Sequence, residues 1–197
     1  MPLTKDLDYL IRSLNCVTCN GGQHTYIEIV EHDPFAQLKK VKIIAYNGEW
    51  FCFSPDEGRK CKRLCKGRGP KLTIMSPLLS IGSEFYHHCA CDAVIFIKDD
   101  KKLSVLYIDL KSNNPTGYSN QFKSTRQFVK YLVSLNNEFN ENNITITEER
   151  YIIFHTSKPL INKKTTIPKP KIRPSSPDDP YKRIIDNSPI YLKELLS

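Results

Sequence analysis

No stretch of these 197 residues approaches the roughly 18 consecutive apolar residues that a membrane-spanning helix needs. The opening Met1-Pro2-Leu3-Thr4-Lys5-Asp6 lacks the apolar core of a secretory signal. No internal repeat is found. Acidic residues are in the minority, 21 against 29 Lys and Arg, and the net charge of +8 favours a polyanionic partner. The seven cysteines are odd in number and follow no secretory signal. That argues against a disulfide framework and for reduced thiols or metal ligands in a cytoplasmic protein. No helix displays a set of base-reading side chains, so sequence specificity cannot be argued.

Enough is present for one good-sized domain with a real core, with room for an appended module. Leu7, Leu10, Ile11 and Leu14 fall at helical spacing over 6–14, with Thr4 as cap. Residues 25–30 and 41–46 read as strands. Asn47-Gly48 predicts a hairpin returning through 49–53. Ser76-Pro77 predicts a helix start, with a helix to about 84 broken near Gly82. Ser119 caps a predicted long helix to about Phe139, with Phe122, Val129, Leu132, Val133 and Leu135 on its apolar side. Residues 151–154 read as a buried strand. Pro168, Pro170, Pro174, Pro177, Pro180 and Pro189 mark a tail in which 168–180 is expected to be an extended linker. A small docking helix is expected over 191–196. The expected division is a β-rich region over 1–71, a core over 72–167 and a proline-rich tail over 168–197. The predicted class is α/β or α+β, with a mixed sheet flanked by helices.

The chemistry concentrates between Cys91 and Lys111. Residues 93–97 and 103–110 form two apolar strands around the polar turn Asp99-Asp100-Lys101-Lys102. They carry three ionisable residues that buried strands do not carry without reason: Asp92, Asp109 and Lys111. A hairpin centred on the Asp100–Lys101 bond pairs residues whose numbers sum to 201, Asp92 and Asp109 among them. Opposed residues have Cβ atoms roughly 4.5–5.5 Å apart, and alternation puts Lys111 on the face of Asp109. Two opposed carboxylates beside a lysine are costly in an apolar sheet unless a cation and an anionic ligand join them. Oxygen ligands suit Mg²⁺. An edge hairpin with its aspartates facing water is the alternative.

Asp92, followed by Asp109-Leu110-Lys111 at the end of an apolar strand, resembles the PD-(D/E)xK nuclease superfamily, whose fold is restriction-endonuclease-like. The resemblance spans roughly residues 76–157 and rests on context: helix, strand with Asp, strand with Asp-x-Lys, helix. Gln127-Phe128-Val129-Lys130-Tyr131 also matches the Gln-x-x-x-Tyr element of a RecB-like branch. The resemblance implies that Asp92 and Asp109, with the Leu110 carbonyl, hold Mg²⁺ or Mn²⁺. It implies that Lys111 polarises the attacking water and offsets phosphate charge. Gln127 would position Lys111 or a phosphate, and Tyr131 would support the substrate strand. Glu84, His87 or His88 stands where the family often has an additional acid or histidine. Cys91 replaces a loosely kept proline, and Asp109 replaces the commoner glutamate. No cysteine follows Cys91, so an iron–sulfur cluster of the kind held by some relatives is not implied.

Two further features bear on binding. Cys16-x-x-Cys19 and Cys61-x-x-x-Cys65 could hold a structural Zn²⁺. A rival set is His87, His88, Cys89 and Cys91, of which at most half can converge in a strand, and buried thiols without metal are a third reading. Arg59, Lys60, Lys62, Arg63, Lys66, Arg68 and Lys71 form a Gly-containing basic stretch suited to phosphate backbones. Lys163, Lys164, Lys169, Lys171 and Arg173 could add a second basic arm.

The leading expectation is a metal-dependent endonuclease acting on DNA rather than RNA. By analogy it works with a protein partner or as a homodimer, in microbial antiviral defence or DNA processing. A non-enzymatic nucleic-acid-binding protein with a degenerate nuclease fold and a zinc-stabilised module is the second. A subunit of a larger assembly, tethered by the tail, is the third.

Overall fold

Apolar side chains on both faces of 93–97 and 103–110 require cover on both sides of the sheet. The chain supplies helices on one side and a second sheet on the other. The structure is a computed structural model. It describes residues 4–14, 19–21, 24–45, 49–56, 75–76, 78–80, 84–99, 102–112, 116–140, 143–156, 174–186 and 188–196.

The elements run α1 (Lys5–Arg12), β1 (Cys19–Gly21), β2 (Tyr26–Val30), β3 (Lys40–Ile44), β4 (Glu49–Phe53), β5 (Ala93–Asp99), β6 (Lys102–Ser112), α2 (Tyr118–Asn140), β7 (Thr145–Thr156), β8 (Tyr181–Ile184), β9 (Ile190–Tyr191) and a 3-10 helix (Leu192–Leu195). The larger sheet has the order β1-β4-β5-β6-β7-β8 and the smaller β2-β3-β9. In the larger sheet β1, β4, β5 and β6 pair antiparallel, whereas β6, β7 and β8 pair parallel. Helix α2 makes the crossover from β6 to β7 that a parallel pair needs. The fold is therefore mixed α+β with two mixed sheets.

Alternation sorts the core into two layers. Phe51, Phe53, Val94, Phe96, Val105, Tyr107 and Ile153 face Leu7 and Leu10 of α1 and Phe122, Val129, Leu132 and Val133 of α2. Trp50, Ile95, Leu106, Ile108, Ile152 and Phe154 face Ile27, Ile29, Val41 and Ile43 of the small sheet, together with Ile190, Leu192 and Leu195. The outer face of the small sheet is mixed: Glu28 pairs with Lys42 across β2 and β3 and Lys40 binds Glu28 at 3.1 Å, beside the exposed Tyr26 and Val30. The Lys98 ammonium reaches Asp6 at 2.6 Å and ties α1 to β5.

Several expectations are corrected. β3 and β4 are both formed, but they belong to different sheets and do not pair as a hairpin. Burial outweighs the Asn-Gly signal: β3 has one buried face and belongs over the lower layer, while β4 is buried on both faces and belongs in the middle of the large sheet. The Asn-Gly pair itself lies outside the described residues. The described residues of 75–91 form turns and no helix. There the backbone is tied to a side chain, because His88 Nδ1 accepts the Met75 N–H at 3.1 Å and Nε2 donates to Ser80 O at 3.2 Å. The Ser119 hydroxyl lies inside α2 and binds Asp178. The expected linker is partly ordered. Ser175 Oγ accepts the Tyr151 N–H at 2.8 Å, residues 176–179 form a tight turn, and the chain then adds β8 to the sheet edge. Pro180 immediately precedes that edge strand, a position where its missing N–H costs no ladder bond. The terminal helix is a single 3-10 turn whose Leu192 and Leu195 are buried.

Candidate active site

β5 and β6 pair in the predicted register. Every pair from Ala93–Ile108 to Asp99–Lys102 keeps the sum of 201. One step beyond the ladder, Asp92 continues that register toward Asp109. Odd-numbered residues of β6 from Leu103 to Tyr107 face the helices, so alternation puts Asp109 and Lys111 on the same side. Asp92 shares that face with Val94 and Phe96.

Asp92 sits where β5 begins. Its carboxylate Oδ2 accepts the Leu110 N–H at 2.5 Å, a bond that fixes the side chain beside Asp109. The segment leading into it is pinned to α2, where Thr125 Oγ1 accepts the Cys91 N–H at 3.0 Å. Asp109 is fully buried. Its Oδ2 lies 2.8 Å from the Lys111 ammonium, and its Oδ1 meets no donor among the described residues. Lys111 Nζ also donates to Gln121 Oε1 at 2.9 Å, from the first turn of α2.

Burial pushes the Asp92 carboxyl well above its ordinary value, and the Asp109 charge and hydrogen bond push it further, against the Leu110 N–H. Burial also holds Asp109 above its ordinary value, against the opposing pull of Lys111 and Asp92. Two ionised carboxylates are both acceptors and cannot hydrogen-bond one another. The pair is therefore joined by a shared proton or by a cation that replaces it. The negative charge of Glu31, just past β2, raises both groups as well. That loop is held against the end of β6 by the Gln37 N–H, which donates to Ser112 Oγ at 2.7 Å.

The donor set fits a hard divalent cation in chemistry: two carboxylates, one with an unsatisfied oxygen in a dry site. Among the described residues no group of three or more His, Cys, Asp or Glu side chains is placed to hold a metal ion.

The remaining predicted residues are placed as follows. Gln127 and Tyr131 do not meet Lys111; they line a groove on another face of α2. Gln127 is six residues beyond Gln121, about 9 Å along the helix axis. The backbone group of Leu110 that reaches the pair is its N–H. Glu84 is exposed on the turn before β5. His87 is exposed and stacks on Phe85, with ring centres 5.2 Å apart. His88 spends both ring nitrogens on backbone groups. Cys91 is buried, and burial with the Asp109 charge pushes its thiol up, so it is held protonated. Cys16, Cys61 and Cys65 lie outside the described residues, and of Cys19 only the backbone is described. The basic residues from Arg59 to Lys71 and from Lys163 to Arg173 also lie outside them.

Two neighbours of the pair are absent from the sequence-based set. Gln121 was overshadowed by the Gln-x-x-x-Tyr match six residues on, although both glutamines lie on the same predicted helix. Glu31 carries no signal in the sequence, because only the packing of the small sheet under the large one brings it near.

Among the described residues no helix is long and apolar enough to cross a membrane. Comparison with protein-family models, with curated proteins and with solved structures finds no match.

Proposed function

We propose that the protein is a divalent-cation-dependent phosphodiester hydrolase acting on nucleic acid, DNA first, with a restriction-endonuclease-like core. The observation that carries this reading is the buried Asp92–Asp109 pair on adjacent strands, with the Lys111 ammonium 2.8 Å from Asp109. The order of a strand entered at Asp92, a strand ending in Asp109-x-Lys111 and then a helix supports it.

Asp92 and Asp109 would hold Mg²⁺ or Mn²⁺. Such an ion, when bound, lowers the pKa of its water and stabilises charge that develops on phosphorus. The protein's own groups do the rest. The Leu110 N–H keeps the Asp92 carboxylate turned toward Asp109. Lys111 offers a compact cation to a phosphate oxygen, and Gln121 keeps that ammonium from swinging to solvent. Glu31 adds negative charge that favours a cation over an empty site. A basic partner surface from Arg59 to Lys71, a cytoplasmic setting, a homodimer or protein partner, and a role in microbial defence or DNA processing belong to the same proposal.

Cutting of supercoiled plasmid and of circular single-stranded DNA in Mg²⁺ or Mn²⁺ tests it, with Asp109→Ala and Lys111→Ala beside the wild type. Cleavage by the wild type that both substitutions abolish supports the hydrolase. Cleavage that survives either substitution overturns it.

The second reading, a nucleic-acid-binding protein with no hydrolytic activity, draws on the two-carboxylate donor set, short of three side-chain ligands. It predicts salt-dependent binding of the plasmid without cleavage in any divalent cation.

A further inference from the structure

The carboxylate pair leaves unexplained a groove of about 730 Å³ between α2 and the turns of 75–88, none of whose lining residues belongs to the pair. Tyr86 and Tyr131 line the groove and remain 56% and 62% exposed. His87 lines it too, with its ring stacked on Phe85. Asn120 and Gln127 add side-chain amides that can both donate and accept. Tyr86, Tyr131 and Phe128 supply ring faces, Met75, Leu78 and Leu79 supply apolar walls, and the amides supply polar edges, a combination that suits a flat, partly polar occupant.

The groove and the carboxylate site are linked through α2 and through the segment that enters β5. The Ser124 hydroxyl donates to the His87 carbonyl at 2.6 Å, and the same segment runs through Cys91, held by Thr125, into Asp92. Asn120 in the groove is the chain neighbour of Gln121, which holds Lys111. Lys123 lines the groove as well and pairs with Asp178 at 2.6 Å on a largely exposed surface. The whole chain carries +8, the sign a polyanionic strand requires.

We infer that this groove binds an unpaired nucleobase, and that the polymer served by the carboxylate site is single-stranded nucleic acid. The inference rests on the phosphodiesterase reading and deepens it by naming the strandedness of the substrate. A strand whose phosphate reaches Lys111 lays a neighbouring base between Tyr86 and Tyr131, with Gln127 and Asn120 at its edge. A duplex keeps its bases stacked on one another and cannot enter the groove in this way.

Fluorescence anisotropy of the full chain in chelator, where no cleavage occurs, reads this out. The probes are labelled oligothymidine and a labelled duplex of equal length. Wild type is expected to prefer the single strand. Tyr86→Ala and Tyr131→Ala are each expected to weaken oligothymidine binding by about 5- to 150-fold, the range of one lost base–aromatic stack, with duplex binding unchanged. Tyr86→Phe and Tyr131→Phe keep the ring and should bind like wild type, which separates stacking from a folding defect. Three results would overturn the inference: no binding of oligothymidine by the wild type, alanine variants that bind it undiminished, or equal losses for strand and duplex. The two proposals fail separately. DNA cleavage with tyrosine-independent binding removes the groove and leaves the hydrolase. Tyrosine-dependent strand binding without cleavage removes the hydrolase and leaves the groove.

Discussion

Gln121 and Lys111 meet where β6 hands over to α2: the Lys111 ammonium donates to Gln121 Oε1 at 2.9 Å while lying 2.8 Å from Asp109. The glutamine is thus a second anchor for the ammonium, beside Asp109. Gln121→Ala should lower kcat for DNA cleavage roughly 10- to 100-fold, the usual effect of removing an orienting partner. Gln127→Ala should act mainly on KM for a single-stranded DNA substrate, because that side chain lines the groove. Steady-state kinetics on both variants distinguishes the roles. A kcat loss at Gln127 with none at Gln121 would return the positioning role to the Gln-x-x-x-Tyr element.

Two carboxyl groups buried side by side, Asp92 and Asp109, work against the stability of the protein when no cation joins them. Asp92→Asn keeps an oxygen for the Leu110 N–H and adds an amide N–H for Asp109. In chelator this variant should gain about 1 kcal/mol, which for a chain of this size raises Tm by about 2–4 °C. Mg²⁺ should then raise the wild-type Tm and leave that of Asp92→Asn unmoved, since a ligand stabilises only a state that binds it. Scanning calorimetry with and without Mg²⁺ decides it. A lower Tm for the variant in chelator would mean that the two acids are not in conflict.

What the sequence made legible was local. The Asp92–Asp109 register followed from a two-strand pattern and a polar turn, because a period of two leaves little freedom once both flanks are apolar. The span of α2 was equally readable from its apolar stripe. What escaped was set by distant packing. The Asn47-Gly48 signal was overruled because β3 and β4 bury different faces against different layers. Glu31 is brought near the pair only through the small sheet. The role of Gln121 depended on which side of α2 meets Lys111, and its advance of about 100° per residue makes neighbouring polar positions hard to rank. The proline count suggested a linker, yet Ser175 and Asp178 bind partners far upstream and fix part of it.

A second polar cluster gives a pH-dependent expectation. Arg126 grips Glu149 through Nε and a second nitrogen at 2.7 Å, and the Tyr107 hydroxyl donates to the same carboxylate at 3.0 Å. Burial pushes Glu149 up, but the bonds from Arg126 and Tyr107 outweigh it and leave the carboxyl below its usual value. A depressed carboxyl stabilises the fold above its unfolded value of about 4.3. That contribution is lost as the pH falls through the lower, folded value. Glu149→Gln should cost about 1 kcal/mol at neutral pH, a modest figure because Arg126 is partly in water. Urea midpoints of the two proteins should converge as the pH drops below about 4. A gap that widens there would reverse the sign assigned to this group.

The C-terminal segment bears on folding as well as on reach. Leu195 is fully buried, and Leu192 and Ile190 are nearly so, all packed under the large sheet with Ile108, Leu110 and Ile152. Because Leu110 lies between Asp109 and Lys111, this layer is the floor on which the carboxylate pair rests. Leu195→Ala removes buried methyl groups and leaves a cavity, at a cost of about 2–5 kcal/mol. An exposed tether would lose almost nothing from the same change. Chemical denaturation separates the two cases by the shift in midpoint at unchanged slope. If the midpoint of Leu195→Ala matches wild type, the terminal 3-10 helix does not close the core in solution, and the support beneath Asp109 must come from β2 and β3 alone.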